Sequence, residues 1–318
     1  MTRRRLLAAL ALALVALAGL LLGAFAADPL GVVFGLQEAR LRWAGGRAER
    51  FAAADGSRLL VRELGPLSAE VPVVLLHGLG AASPYWVDAA LALRKAGRTV
   101  LMPDAPGSGK SDPPRSLDGY GLANRVAAVA SLVDALGLEK MDLVGHSLGG
   151  WTAARYALEA PHHVRRLVLV DAAGLTDPGR EEELRESVVP RDREGGRRLL
   201  GLLFHRKPFP FPGVVVDSFV RQYGASPSVV QTVAHLSRAD AVLGREHELP
   251  HGTVLIWGEE ETLFPVQGAR AVAPRIPGAR LLVLRGVGHD GPLEAPAEFH
   301  KALLSALDGT PLPAVPAR

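Results

Sequence analysis

The stretch LVGHSLGGW, residues 143–151, restricts the possible folds more than any other part of this chain. A largely apolar run beginning at Met141 meets Gly145, His146, Ser147, Leu148 and Gly149, a G-x-S-x-G pattern. A serine so placed fits the apex of a sharp strand-to-helix turn, where the backbone is strained and the hydroxyl is presented outward. Glycines two before and two after it let strand and helix pass closely, since neither carries a Cβ. The pattern is short and built of common residues, so it carries chemistry only with a strand before it, a helix after it, and a base and an acid further on.

The flanking sequence supplies the strand and the helix. VPVVLLHG (71–78), RTVLMPD (98–104), MDLVG (141–145), VRRLVLVD (164–171), GTVLIWG (252–258) and ARLLVLRG (279–286) are short apolar runs, most ended by glycine or aspartate, and read as buried strands. Helical patterns fall between them, over 84–96, 119–137, 148–160 and 266–274, with a last helix at about 293–307. In the second of these, Val126, Val129, Leu132, Val133 and Leu136 share one face and Gly137 marks the stop. Alternating strands and helices with near-continuous apolar strands predict an α/β fold, a mostly parallel sheet covered on both faces. FAAADGSRLLVREL, from Phe51, predicts a hairpin with Asp55-Gly56 at its turn.

The expected organisation follows from these patterns: a connector over 28–50, a first core segment over 51–172, an insertion over 173–250, a second core segment over 251–307, and a proline-rich disordered tail over 308–318. The connector reads as a loosely amphipathic helix packed against the body. The insertion, after the sixth strand, is too long for a structureless loop and reads as a helical cap over the ligand-binding end of the sheet.

Residues 1–27 stand apart. Arg3, Arg4 and Arg5 precede an uncharged run of 22 residues, Leu6–Ala27, about 33 Å long as a helix and enough to cross a bilayer. The arginines predict a cytoplasmic N-terminus and an exported body. The run is longer than the roughly 7–15 apolar residues of a signal peptide, which favours a retained inner-membrane anchor with the body on the periplasmic side. Ala24-Phe25-Ala26 resembles a signal-peptidase site, and cleavage there would give a secreted protein. The same three arginines account for the whole net charge of +3. The neutral remainder offers no footprint for nucleic acid. There is no cysteine, so neither disulfides nor a lipidated cysteine is available.

Serine hydroxyls need a base, and the base an orienting acid. His289 lies in GVGHDGPLE, between the last strand and the last helix, which puts it at the same edge of the sheet as Ser147. Acid candidates follow the preceding strand in WGEEETLFP: Glu259, Glu260 and Glu261, two of which read as a solvated turn. The glycines of GSGKSD lack phosphate-loop spacing. No histidine and carboxylate cluster has metal-ligand spacing, so neither cofactor nor metal is expected.

HGLG at 77–80, PDAPGSGKSD at 103–112, GHSLGG at 145–150, WGEEETLFP at 257–265 and GVGHDGPLEAPAEF at 286–299 together resemble the α/β-hydrolase fold serine hydrolases of esterase/lipase type, over roughly residues 50–307. In that family the acid stands four residues after the tryptophan of WG, which here is Glu261, with Pro265 four later. The family most often has aspartate there, so this chain departs from the pattern. Some relatives take the acid from the end of an earlier strand, which makes Asp171 the alternative; Asp290, beside His289, is expected to point elsewhere. The resemblance implies an oxyanion hole formed by the backbone N–H groups of Leu79 and Leu148. His77 and His146 flank these sites and read as loop-holding residues.

Serine at the elbow argues against haloalkane dehalogenases and epoxide hydrolases, which resemble this fold but carry aspartate there. The implied activity is carboxylic ester hydrolysis of a small apolar substrate, and the N-terminal run adds a looser resemblance to membrane-anchored monoacylglycerol lipases. A C–C bond hydrolase of ring-cleavage products, a cofactor-free haloperoxidase or a non-catalytic ligand-binding member are the competing readings. No obligate protein partner is evident.

Overall fold

Alternating valines and leucines build the centre of the molecule. The computed structural model describes residues 19, 23–67, 71–176, 181–208 and 210–310. Eight strands form one sheet: β1 (Arg47–Ala52), β2 (Arg58–Leu64), β3 (Val73–Leu76), β4 (Val100–Pro103), β5 (Met141–His146), β6 (Val164–Val170), β7 (Val254–Gly258) and β8 (Arg280–Leu284). Their order is β1-β2-β4-β3-β5-β6-β7-β8. β2 runs antiparallel to β1 and β4, and every other pairing is parallel.

Successive side chains of a strand point to opposite faces, and the sheet uses both. Val74, Leu76, Leu143, Leu167 and Leu169 face α3 (Leu122–Leu136), α4 (Leu148–Glu159) and α9 (Val266–Val272) in one apolar cluster. Val73, Leu75, Val144, Val168 and Val170 face α2 (Val87–Lys95) and α11 (Pro296–Asp308) in the other. Burial on both sides explains why the central strands carry continuous apolar runs. α3 ends where Gly137 takes φ +60°, the left-handed stop its sequence predicted.

Two expectations shift. The last helix is divided: α10 (Gly291–Glu294) stops at Ala295, whose φ of −140° and ψ of 60° are not helical, and α11 begins at Pro296. Proline excludes the helical conformation from the residue before it. The stretch read as connector holds the expected helix, α1 (Pro29–Trp43), but also β1, which starts four residues before Phe51. β1 is an edge strand whose RAERFA is almost wholly exposed, so it carries no apolar alternation that a sequence could reveal.

Among the described residues, the α-helices between β6 and β7 are α5 (Glu181–Ser187), α6 (Arg193–Leu203), α7 (Gly213–Phe219) and α8 (Pro227–His235). Helix α1 bridges this region and the sheet. At its start Asp28 accepts the Gly31 N–H as a cap, and its carboxylate also takes hydrogen bonds from Ser218 at 3.0 Å and from Gln222, both beyond β6. Farther along, Glu38 pairs with Arg62 of β2 and with Lys110 at 2.7 Å. Arg62 also meets Asp104 at 3.0 Å, and Asp104, fully buried, accepts the backbone N–H groups of Ser83 and Lys110.

Residues 1–18, 20–22 and 311–318 lie outside the described residues, and with them most of the Leu6–Ala27 run and nearly all of the proline-rich tail. Among the described residues no helix is long and apolar enough to cross a membrane.

Candidate active site

Ser147 stands between β5 and α4 with φ +53° and ψ −119°. A non-glycine backbone in such a region costs of order 1–3 kcal/mol and persists only where its surroundings enforce it. They do so here through close packing. A Cβ on Gly145 would lie 2.2 Å from the Gly149 carbonyl oxygen, and one on Gly149 would lie 2.3 Å from that of Leu76. The two glycines of the motif are thus required by backbone approach, as the sequence implied.

His289 follows β8, at the same end of the sheet. Its Nδ1 is 2.5 Å from Glu261 Oε2, with both side chains buried. The other oxygen of Glu261 accepts the backbone N–H of Leu263 at 2.5 Å and of Phe264 at 3.2 Å. The glutamate side chain is therefore folded back over its own turn and held there. Trp257 fixes that turn by donating its indole N–H to the Phe264 carbonyl at 2.7 Å. Glu259 and Glu260 are exposed. Burial alone would lower the affinity of His289 for a proton. The charge and hydrogen bond of Glu261, with Asp290 and Asp171 behind them, outweigh it and push the imidazole up to about 9.

Asp171, the alternative acid, is fully buried at the end of β6 with φ +41°. Its Oδ1 accepts the Gly258 N–H at 2.8 Å, and its Oδ2 has no partner among the described residues. It makes no hydrogen bond to His289. Burial, reinforced by the nearby Glu261 charge, holds its carboxyl well above the ordinary range. Its one hydrogen bond supports the backbone of β7.

The two other histidines hold loops. His77 Nδ1–H donates to the Gly78 carbonyl at 2.8 Å and its Nε2 accepts the Ala105 N–H at 3.0 Å, which fixes one neutral tautomer. Burial lowers it to about 4. His146 donates from Nε2 to the His289 carbonyl at 2.9 Å, its ring 4.8 Å from the His289 ring, and burial keeps it neutral as well. The residue before the serine thereby locks the loop that carries the candidate base.

Ser147 and His289 open into one cavity of about 830 Å³, lined mainly by apolar side chains. Leu79 and Leu148 also line it, and neither backbone N–H has an acceptor among the described residues. Leu148 is the first residue of α4, so the helix dipole adds to its pull on an anion. Leu199, Leu203, Phe204 and Phe219 form part of the far wall, from the helices between β6 and β7. Leu30, Val33 and Phe34 of α1 complete the lining on another side.

A family model for the alpha/beta hydrolase fold matches residues 71–296. The chain belongs to the α/β-hydrolase family. Within it, the chain is similar to a 2-hydroxymuconate semialdehyde hydrolase of Pseudomonas putida, 32% identical over 72% of this chain and 84% of that protein. It is also similar to the dihydrolipoyllysine-residue acetyltransferase component of the acetoin cleaving system of Cupriavidus necator, 30% identical over 82% of this chain and 70% of that protein. Among solved structures it is similar to a membrane phospholipase A described as a bacterial virulence factor, with TM-score 0.76 and 27% identity over 96% of this chain and 98% of the other. As an α/β-hydrolase the chain is a hydrolase, and its relatives span more than one kind of bond.

Of the residues singled out in the sequence, Ser147, His289, Leu79, Leu148, His146 and Asp290 line this cavity; Glu261 meets it through His289, and Asp171, Glu259, Glu260 and His77 are not part of the lining. Three contributions had no readable signal. Tyr85 stacks on His146 with ring centroids 5.2 Å apart. Tyr223 covers Gly80 so closely that a Cβ there would lie 2.1 Å from its ring. Helix α1 forms a wall of the cavity. Each depends on which distant element arrives at the site, and local pattern does not encode that.

Proposed function

We propose that this α/β-hydrolase cleaves carboxylic esters with apolar acyl groups, monoacylglycerol or medium- to long-chain esters, by a Ser147–His289–Glu261 triad. The observation that carries the reading is the buried Glu261–His289 pair facing an apolar cavity that also holds Ser147 on its elbow. In this scheme Ser147 Oγ attacks the ester carbonyl carbon as its proton passes to His289 Nε2. The Leu79 and Leu148 amides stabilise the resulting oxyanion, each worth around 3 kcal/mol in comparable enzymes. The C–O bond then breaks, the alcohol leaves with the proton from His289, and water releases the acid from the acyl-enzyme by the same route in reverse. Glu261 holds the tautomer and balances the imidazolium.

The size and apolar lining of the cavity favour an acyl chain over a small polar acid. The likeness to a membrane phospholipase A supports a lipid-like substrate. We place the body on the outer face of the inner membrane, tethered by Leu6–Ala27. Supporting this, Phe25 at the end of that run and Val33, Phe34 and Leu36 just after it are exposed. The likeness to 2-hydroxymuconate semialdehyde hydrolase favours a second reading, C–C cleavage of ring-fission products by the same three residues.

Fluorophosphonate labelling with mapping of the modified residue, run beside a panel of acyl esters and a ring-fission dienoate, tests these readings. Label on Ser147 with ester turnover that rises with chain length is expected. Turnover of the dienoate alone would move the function to C–C cleavage. Label elsewhere, or turnover that survives Ser147→Ala, would overturn the mechanism. Carbonate extraction of membranes from cells carrying the full chain tests the tether: retention in the pellet is expected, and release would refute it.

A further inference from the structure

Asp290 was expected to point away from the chemistry. Instead it lines the same cavity as Ser147 and His289 while only 8% exposed. Its Oδ1 accepts the Tyr85 hydroxyl at 3.0 Å. Its Oδ2 faces the cavity and has no hydrogen-bond partner among the described residues. Asp290 stands at the N-cap position of α10, yet its side chain caps nothing.

That oxygen opens onto the cavity, and a carboxylate held in largely apolar surroundings with one oxygen given no donor by the protein is costly, so fold stability gives no reason to keep it there. Burial pushes Asp290 up to about 6, against the opposing pull of His289 and Tyr85, so the group is still an acceptor at neutral pH. Tyr85 spends its only proton on Asp290, which leaves its own oxygen free to accept. The pair therefore offers two acceptors side by side and no donor.

Its position decides which part of a substrate would meet it. His289 must deliver a proton to the leaving alcohol, so the alcohol lies beside that ring. Asp290 is the next residue. Tyr85 stacks on His146, whose ring in turn lies 4.8 Å from His289. The acyl chain has the apolar wall of α6 and α7 to occupy.

We propose that Asp290 and Tyr85 form a polar subsite that selects leaving alcohols carrying free hydroxyl groups, adjacent hydroxyls as in a glycerol moiety above all. One hydroxyl donates to Asp290 Oδ2 and its neighbour to the Tyr85 oxygen. The assignment rests on the ester-hydrolase reading and adds the determinant of alcohol preference. A simple alkyl alcohol leaves both acceptors unpaired, and that is the physical source of discrimination.

Water-soluble butyrates test it: glycerol monobutyrate, ethyl butyrate and butyrylcholine, compared by kcat/KM, which covers acylation while the alcohol is still attached. The wild-type protein should favour the glycerol ester over the ethyl ester by about tenfold or more, the scale of one hydrogen bond to a charged group. Asp290→Asn, which keeps an acceptor for Tyr85 and replaces the free one with a donor, should collapse that ratio, and Tyr85→Phe should lower it. Ester turnover with an unchanged ratio in both variants overturns the subsite and leaves the ester reading standing. An equal loss on all three esters also overturns it, since Asp290 would then act only by supporting His289. A preference for butyrylcholine that Asp290→Asn removes would replace hydroxyl recognition with cation binding. Failure of the wild-type protein to hydrolyse any ester removes both readings together.

Discussion

Glu261 binds its own turn through one carboxylate oxygen and His289 through the other. This double attachment explains how a glutamate occupies a place where a shorter acid is usual. The extra methylene is taken up by folding back onto the Leu263 and Phe264 amides, and the remaining oxygen reaches the ring.

Removing the charge while keeping the shape should therefore be severe. Glu261→Gln is expected to lower kcat by about 10³–10⁴, by analogy with the loss when a triad acid becomes an amide in a serine protease. Asp171→Asn should change kcat by less than about tenfold, because Asp171 bonds a backbone amide and not the imidazole. Steady-state kinetics on the two variants check this, and the reverse ranking would transfer the acid role to Asp171.

The pH profile should carry the mark of the same pair. Only neutral His289 can accept the serine proton, and its affinity for protons is raised in the folded protein, to about 9. Activity must then rise with pH through an apparent pKa above the ordinary histidine value of about 6.5. In Glu261→Gln, residual activity should show that limb moved to lower pH. A wild-type limb below pH 6 would contradict the assignment.

The buried Arg62–Asp104 pair makes a stability prediction. Burial opposes the charge on Asp104, but Arg62, His77 and its hydrogen bonds outweigh that and hold it below the usual range. A lowered carboxylate stabilises the fold above its unfolded pKa, and the benefit is lost as pH falls through the folded value. Asp104→Ala should cost roughly 3 kcal/mol at pH 7, by leaving Arg62 with Glu38 alone as its carboxylate and the Ser83 and Lys110 amides without their acceptor. The gap from wild type should shrink below about pH 4, as read by denaturant titration at several pH values.

Backbone approach at the elbow predicts a different failure. Gly149→Ala would put a methyl group 2.3 Å from the Leu76 carbonyl oxygen, which belongs to a central strand and cannot yield. Loss of soluble, fluorophosphonate-reactive protein is expected. A variant that folds and labels at the wild-type rate would show that the elbow tolerates more room than its packing implies.

How much of this was legible in the sequence depends on the range of the cause. The strands were legible because both faces of the sheet are covered, so Val73–Leu76 and Val164–Val170 read as uninterrupted apolar runs. The elbow was legible because its glycines answer to contacts within a few residues of the serine and to the adjacent strand. Among the three glutamates after Trp257, the residues alone made no choice, and Glu261 was singled out only through the family resemblance. β1 was hidden because an exposed edge strand has no buried face to pattern. Asp290 was misjudged because its direction is set by Tyr85, 205 residues away.

Helix α1 is fastened at Asp28 to the region between β6 and β7 and at Glu38 to β2 and the loop of Lys110, with a cavity wall between the two attachments. It works as a strut. Along this edge the region between β6 and β7 cannot part from the sheet unless one set of those bonds lets go. A pull on the chain just before Asp28 is delivered first to the bonds that join α1 to the region between β6 and β7.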